Sequence, residues 1–213
     1  MAEELTIVLS DDKVVGRVEK HEAHRYPVQR HRAISVWLVD ESNHILLQKR
    51  SDLKIVGAGW WANTVCGNVW FDESYEACAV RRLKGELGLD IKPRHLETGA
   101  KFEYRAYCNE TYGEHEVDQI FVLQLSRSDV EAMLTPVASE VSQTLWVPFE
   151  EIRTKVAHFQ SERGYYSSQS SLKASWNELA ENMLPMRVEL QGIDVLLSPW
   201  TCMMILDELL ALP

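Results

Sequence analysis

Residues 67 to 89 constrain this chain more than any other stretch. Asp72 to Leu87 is expected to form one amphipathic helix. Asp72 or Ser74 can cap its first turn, and Gly88 can take the residue past its end. Ala77, Val80, Leu83 and Leu87 recur at helical spacing and predict the buried stripe. Just before this helix runs Trp60-Trp61-Ala62-Asn63-Thr64-Val65-Cys66-Gly67-Asn68, of which Trp61 to Cys66 is expected to be a strand or its irregular exit. A thiol, Cys66, therefore stands at the mouth of a helix whose exposed face carries Glu73, Arg81, Arg82 and Glu86.

The 213 residues suit one domain, and 46% hydrophobic against 25% charged residues is enough to bury a core. A net charge of −10 argues against duplex nucleic acid as a partner. It leaves room for a small anion, because a local basic patch can outweigh the global charge over a Debye length of roughly 10 Å. No apolar run approaches a membrane span, and Met1-Ala2-Glu3-Glu4 lacks a signal-peptide pattern, so a cytoplasmic location is expected. Cys66, Cys78, Cys108 and Cys202 show no CxxC spacing, which points to reduced thiols, with Cys78 and Cys202 as packing groups.

Along the chain, Leu5 to Leu9 and Val14 to Val18 predict a hairpin turned by Asp11-Asp12-Lys13. Residues 19–32 are basic and His-rich. Ala33 to Val39 and Ile45 to Gln48 predict two strands joined by Glu41-Ser42-Asn43, and Phe102 to Tyr107 and Glu116 to Leu125 predict two more. Glu114 and Glu116 are two apart, so an extended chain puts both on one face and His115 on the other. Pro148 opens a helix with Ile152, Val156 and Phe159 on one side. Ser161 to Ser171 predicts a loop, Leu172 to Leu184 a helix, and Ser198-Pro199 the start of a last helix through Leu210. Strands mixed with helices imply a layered α/β (α+β) domain.

Gly67, Glu73, Arg81, Leu83, Glu86, Gly88 and Leu89 match the hydrolase form of the Nudix box, while Arg82 and Gly85 replace two of its glutamates. Glutamates at i, i+3 and i+4 of a helix gather divalent cations, so a hydrolytic metal site is poorly supplied here. One Mg²⁺ shared between Glu86 and a substrate's phosphates is still expected. The chain also resembles the type 1 isopentenyl diphosphate isomerases. The matching pieces include Glu22-Ala23-His24, His31-Arg32-Ala33, Trp61 to Gly67, Phe102 to Ala106, Gly113 to Asp118 and Ser198-Pro199-Trp200. The resemblance implies a Nudix fold over residues 1–213, a mixed β-sheet sandwiched between helices with an enlarged C-terminal helical region. It implies proton transfer through Cys66 and Glu116 on opposite faces of a double bond, with Glu116, polarised by a metal, as the acid toward the alkene and the Cys66 thiolate as the base at C2, a helix N-terminus helping to lower the Cys66 pKa. Tyr104 would orient Glu116 and Trp200 would face a cation. Lys20, Arg50, Lys54 and Arg82 would hold the diphosphate. His24, His31, Glu114 and Glu116 would be metal ligands.

Three features depart from that family. Asn68-Val69 stands where the family carries histidine and proline, which replaces a third histidine ligand by an amide oxygen and weakens a second divalent site (Mn²⁺, Mg²⁺ or Zn²⁺). Trp70 follows directly. The stretch 151–192, with Tyr165-Tyr166 and Trp176, is longer than usual and is expected to be an insert, as a lid, a dimer surface or a pocket wall. The leading expectation is isopentenyl diphosphate isomerisation by a monomer or homodimer. The alternatives are isomerisation or cyclisation of a longer prenyl diphosphate, a catalytically impaired diphosphate-binding homologue and, last, a hydrolase.

Overall fold

The computed structural model describes residues 3–164 and 167–210, so the Tyr165-Tyr166 pair lies outside the described residues. The predicted hairpin is β1 (Glu4–Val8) and β2 (Val14–Glu19), followed at once by α1 (Lys20–His24), which Glu19 caps. β3 (His31–Val39) and β4 (His44–Arg50) flank a turn in which Asn43 takes a φ of 57°. The Asp40 carboxylate accepts the Ser42 and His44 backbone N–H groups there, each at 2.8 Å. β5 (Trp61–Ala62) and β6 (Val65–Asn68) lead into α2 (Tyr75–Leu87). Ser74 caps α2 through the Ala77 N–H, and Gly88 ends it in the left-handed region.

β7 (Leu96–Tyr107), β8 (Gly113–Gln124), α3 (Arg127–Met133), β9 (Val141–Pro148) and α4 (Phe149–Arg163) follow. The chain continues through α5 (Ser168–Lys173), α6 (Trp176–Asn182), β10 (Met186–Leu190), β11 (Ile193–Leu197) and α7 (Pro199–Leu206). β3 is the centre of a mixed sheet, parallel to β8 and antiparallel to β6 and β4. β4 pairs with β9 and β5, and the β10–β11 hairpin joins through β5.

Alternation along β3 divides the interior in two. Ile34, Val36 and Leu38 pack with Cys78, Ala79, Leu83 and Leu87 of α2. Trp37 and Val39 pack with Ile152 and Val156 of α4, Leu179 of α6 and Met203 and Met204 of α7. The mixed sheet between helices is the expected architecture. Among the described residues, no helix is long and apolar enough to cross a membrane.

Four local expectations are corrected. The buried face of α2 runs through Cys78, Ala79, Leu83 and Leu87, whereas Ala77 is exposed and Val80 only half-buried. Among the described residues of Ser161 to Ser171, 161–163 end α4 and 168–171 lie in α5, which Ser167 caps through the Ser170 N–H. The helix expected from Leu172 to Leu184 is broken at Ala174, and α6 restarts on a capping box formed by Ser175 and Glu178. The last helix ends at Leu206 rather than Leu210. β9 and α3 were not expected, nor was the β10–β11 hairpin. In that hairpin Met186, Val188 and Leu190 alternate inward, and Gln191 and Gly192 both take positive φ, as primed hairpin turns require.

Two glycines of this region predict opposite outcomes. A Cβ on Gly85 meets nothing within 4 Å, so Gly85→Ala should raise stability by about 1 kcal/mol. Gly88 has a φ of +74° and a Cβ there would lie 1.9 Å from Thr135 Oγ1. Gly88→Ala should therefore lose more than about 1 kcal/mol. Urea unfolding midpoints of the two variants check the sign.

Candidate active site

The registers of β3 assemble the site. Parallel pairing with β8 sets His31 beside Glu116, and antiparallel pairing with β6 sets Ala33 beside Asn68 and Ser35 beside Cys66. Tyr104 on β7 lies opposite Glu116. α1 supplies Lys20 and His24. His115 turns away, as expected, and pairs with Glu103 at 2.9 Å.

His24, His31, Glu114 and Glu116 are all buried, with one potential ligand atom from each lying within 4.8 Å of the others. His24 Nδ1 is 2.7 Å from the Lys20 carbonyl and His31 Nδ1 is 2.8 Å from the Gln29 carbonyl. A carbonyl can only accept, so each ring donates there and turns the Nε2 lone pair inward. His24 Nε2 faces Glu114 Oε2 at 3.2 Å, and that oxygen is buried without a hydrogen-bond donor. Lone pair against lone pair in a buried site calls for a cation, and an N₂O₂ donor set suits a divalent metal ion. Burial opposes charge on His24, but the Glu114 carboxylate outweighs it and raises the His24 pKa. The Asn68 amide differs from expectation. Its nitrogen, not its oxygen, faces inward, 3.1 Å from Glu116 Oε1 and 3.2 Å from His31 Nε2, because both of those atoms are acceptors.

Next to this cluster the Tyr104 hydroxyl donates to Glu116 Oε2 at 2.5 Å. Burial, reinforced by the Glu116 carboxylate, pushes the Tyr104 pKa well up, so it remains a donor. Cys66 donates to Asn63 Oδ1 at 3.0 Å. Burial pushes its thiol up to about 12, with Arg50 opposing and Asp118, Glu116 and Glu86 adding to the rise. The low thiol pKa expected from a nearby helix N-terminus is thereby corrected: α2 starts only at Tyr75, and desolvation dominates. Cys66, Tyr104, Glu114, Glu116 and Trp200 line one cavity of about 200 Å³.

Lys20, Arg50, Lys54 and Arg82 line the same cavity. Lys20 pairs with Glu3 at 2.8 Å, Lys54 closely with Glu140, and Arg82 with Glu140 at 3.0 Å. Arg50 donates to the Val56 carbonyl at 2.9 Å, and its guanidinium lies 5.5 Å from the Trp200 ring centroid. Arg82 reaches this place because Gly67 has no side chain; a Cβ there would lie 2.6 Å from Arg82 Cγ. Glu86 departs from the role expected of it. It is buried beneath the cations, paired with Arg82 and accepting from Gln48 at 3.0 Å, and it belongs to neither the cavity wall nor the His/Glu cluster. An arginine four residues earlier on the same helix captures it. Among the described residues, none of the stretch 151–192 lines the cavity.

Sequence reasoning missed the parts played by Glu140 and Asn63, and read Arg81 only as a residue of the box. Glu140 lies in a turn before β9 with no motif around it, and Arg81, though noticed, pairs with Glu73 and stacks 3.6 Å from the Trp70 centroid. Because Glu140 occupies two of the cations, Glu140→Gln should tighten inorganic pyrophosphate binding. The scale is roughly three- to tenfold, that of a partly exposed ion pair near ~1 kcal/mol. Calorimetric titration at low salt checks it; weaker binding would mean that Glu140 helps to hold the ligand.

Residues 29–166 match the NUDIX domain family. The chain is 40% identical over 164 residues to an isopentenyl-diphosphate Delta-isomerase of Rhodobacter capsulatus, covering 76% of this chain and 88% of the relative. It is 33% identical to isopentenyl-diphosphate Delta-isomerase 2 of Photorhabdus laumondii, over 73% of this chain and 83% of that protein. With isopentenyl-diphosphate Delta-isomerase 1 of Bos taurus it shares 31% identity over 74% of this chain and 76% of the relative. The crystal structure of DR0079 from Deinococcus radiodurans superposes with a TM-score of 0.58 at 18% identity, over 80% of this chain and 96% of that one, which supports the shared fold. Motifs, fold and relatives agree, and the chain belongs to the Nudix superfamily and, within it, to the isopentenyl-diphosphate Delta-isomerase family.

Proposed function

We propose that this chain interconverts isopentenyl and dimethylallyl diphosphate by a 1,3 proton shift. The observation that carries the reading is one cavity that joins Cys66, the Tyr104–Glu116 pair and four cations. The shift needs one group that arrives with a proton and one that arrives without. In the free protein the half-buried thiol, its pKa raised by desolvation, is the protonated partner, and Glu116, which accepts from Tyr104 and Asn68, is placed to receive. In one direction the Cys66 S–H bond breaks as a proton joins the terminal alkene carbon. A tertiary cation forms, and the Glu116 carboxylate takes the proton from C2. The two groups then stand with protonation states exchanged, which is the state the reverse reaction uses. This assignment reverses the thiolate base expected from sequence, and burial of Cys66 is the reason.

The electron-rich face of Trp200 would stabilise the cation. Lys20, Arg50, Lys54 and Arg82 would hold the diphosphate at the rim, with no P–O bond broken. A divalent ion held by His24, His31, Glu114 and Glu116 would add positive charge behind Glu116, and Mg²⁺ arriving with the substrate would offset its phosphates. Nothing in the structure favours the longer-chain alternative. Among the described residues the stretch 151–192 contributes no wall, and about 200 Å³ is small beside the roughly 300–1,000 Å³ of pockets for drug-sized ligands.

Proton NMR of isopentenyl diphosphate with Mg²⁺ tests the reading. Dimethylallyl diphosphate should accumulate, and Cys66→Ala should reduce the rate by about 10²–10⁴-fold. Release of pyrophosphate in place of an isomer would refute it. For the metal, Asn68→His should raise the affinity for Mn²⁺ and Zn²⁺ by at least about tenfold, read as metal retained after dialysis. Equal retention by both proteins would place residue 68 outside the coordination sphere.

A further inference from the structure

Asn63 is fully buried, and the polar atoms of its side chain are all engaged. Its Nδ2 donates to the Val36 carbonyl at 3.1 Å and to the Val65 carbonyl at 3.0 Å. With both N–H bonds held by acceptors, the amide has one orientation, and Oδ1 must point the other way. There it accepts from Cys66 Sγ at 3.0 Å and from Thr201 Oγ1 at 3.3 Å. Thr201 ties the backbone as well, accepting the Asn63 N–H at 3.1 Å. It also lies 2.8 Å from the hydroxyl of Ser198, the residue that caps α7. Trp200 is its immediate neighbour on that helix.

We propose that Asn63, its amide turned by the Val36 and Val65 carbonyls and tied to α7 by Thr201, is a positioning residue that fixes the direction of the Cys66 S–H bond and holds the thiol in register with Trp200; the proposal rests on the isomerase reading above. A thiol turns freely about its Cβ–Sγ bond and is a weak donor, so its direction is set by whichever acceptor is in reach. The other neighbour in reach is Ser35, whose Oγ is 3.9 Å from the sulfur and donates to Asp118 Oδ2 at 2.7 Å. Asn63 Oδ1 is nearer by almost an ångström. Proton transfer to an alkene needs the donor aligned with the π face, and the cation that results needs Trp200 at a fixed place. One amide that contacts both the thiol and the helix carrying the indole meets both needs. No local pattern reveals this, because residues 63 and 201 are 138 positions apart.

Thr201→Val keeps the shape and removes the oxygen, whereas Thr201→Ser keeps the oxygen. Thr201→Val should lower kcat by about ten- to a hundredfold with KM for the diphosphate little changed, since misplacement near 1 Å costs about 10² in rate. Thr201→Ser should restore kcat. In parallel, the rate of Cys66 alkylation by iodoacetamide, read by mass spectrometry against a Cys66→Ala blank, should change in Thr201→Val and not in Thr201→Ser. Wild-type kcat and alkylation rate in Thr201→Val, with an unchanged Tm, would overturn the proposal. If Thr201→Val fails to fold, Asn63→Asp replaces it, with the same shape but without the two Nδ2 donors, and the same split is expected. Absence of isomerase turnover in the wild-type protein would remove the function proposed above, and the alkylation rates alone would then decide for or against the Asn63 role.

Discussion

The pairing of β3 with β8 is the constraint on which the rest of the structure depends. Over its nine residues β3 lies parallel to β8, and that register sets His31 beside Glu116. A slip of one residue would turn every β3 side chain to the other face. Ile34, Val36 and Leu38 would leave the core beneath α2, and Trp37 and Val39 would leave the core beneath α4 and α7. Both cores therefore enforce one register, and the residues at the N-terminal end of β3 inherit that precision. His31 of the His/Glu cluster, its neighbour Glu116, Asn68 and Cys66 all take their places from this strand.

Charge is arranged in two layers around the cavity. Buried carboxylates and inward imidazole lone pairs form the floor, where an uncompensated group is costly and a cation is the natural remedy. Lysines and arginines form the rim, and carboxylates of Glu3, Glu86 and Glu140 hold three of the four in place. A chain of net charge −10 can thus present a local anion site while keeping its cations paired. The half-exposed Lys20–Glu3 pair contributes little to stability, so Lys20 changes partner at low cost when a more highly charged anion arrives.

Legibility in the sequence followed the range of the interaction. Ser74, Gly88 and the apolar spacing between them made α2 readable, and the alternation in β3, β7 and β8 did the same for the sheet centre. The motif residues His24, His31, Glu114 and Glu116 could be assembled from resemblance, and the structure brings them together. Contacts between distant segments were not readable. Glu140 reaches across from a turn to Lys54 and Arg82, and Asn63 meets Thr201, neither at a spacing that sequence periodicity reports. The proton state of Cys66 was misread for the same reason, since desolvation is a property of the packed interior and not of the nearest helix. In the C-terminal region the polar stretch Ser161 to Ser171 suggested a loop, yet Ser167 caps α5; Ser175 caps α6 inside what was expected to be one helix, and Ser198 caps α7 as expected.

The central claim is that Cys66 and Glu116 form one complementary proton-transfer pair. The most direct test follows deuterium from D₂O into the terminal carbon and C2 of isopentenyl diphosphate, by NMR, in the wild type, Cys66→Ala and Glu116→Gln. The account predicts exchange at both positions in the wild type and its loss at both positions in each variant, because neither half-reaction closes without the other group. Exchange that persists at either carbon in both variants would contradict it and place the proton donor elsewhere in the cavity.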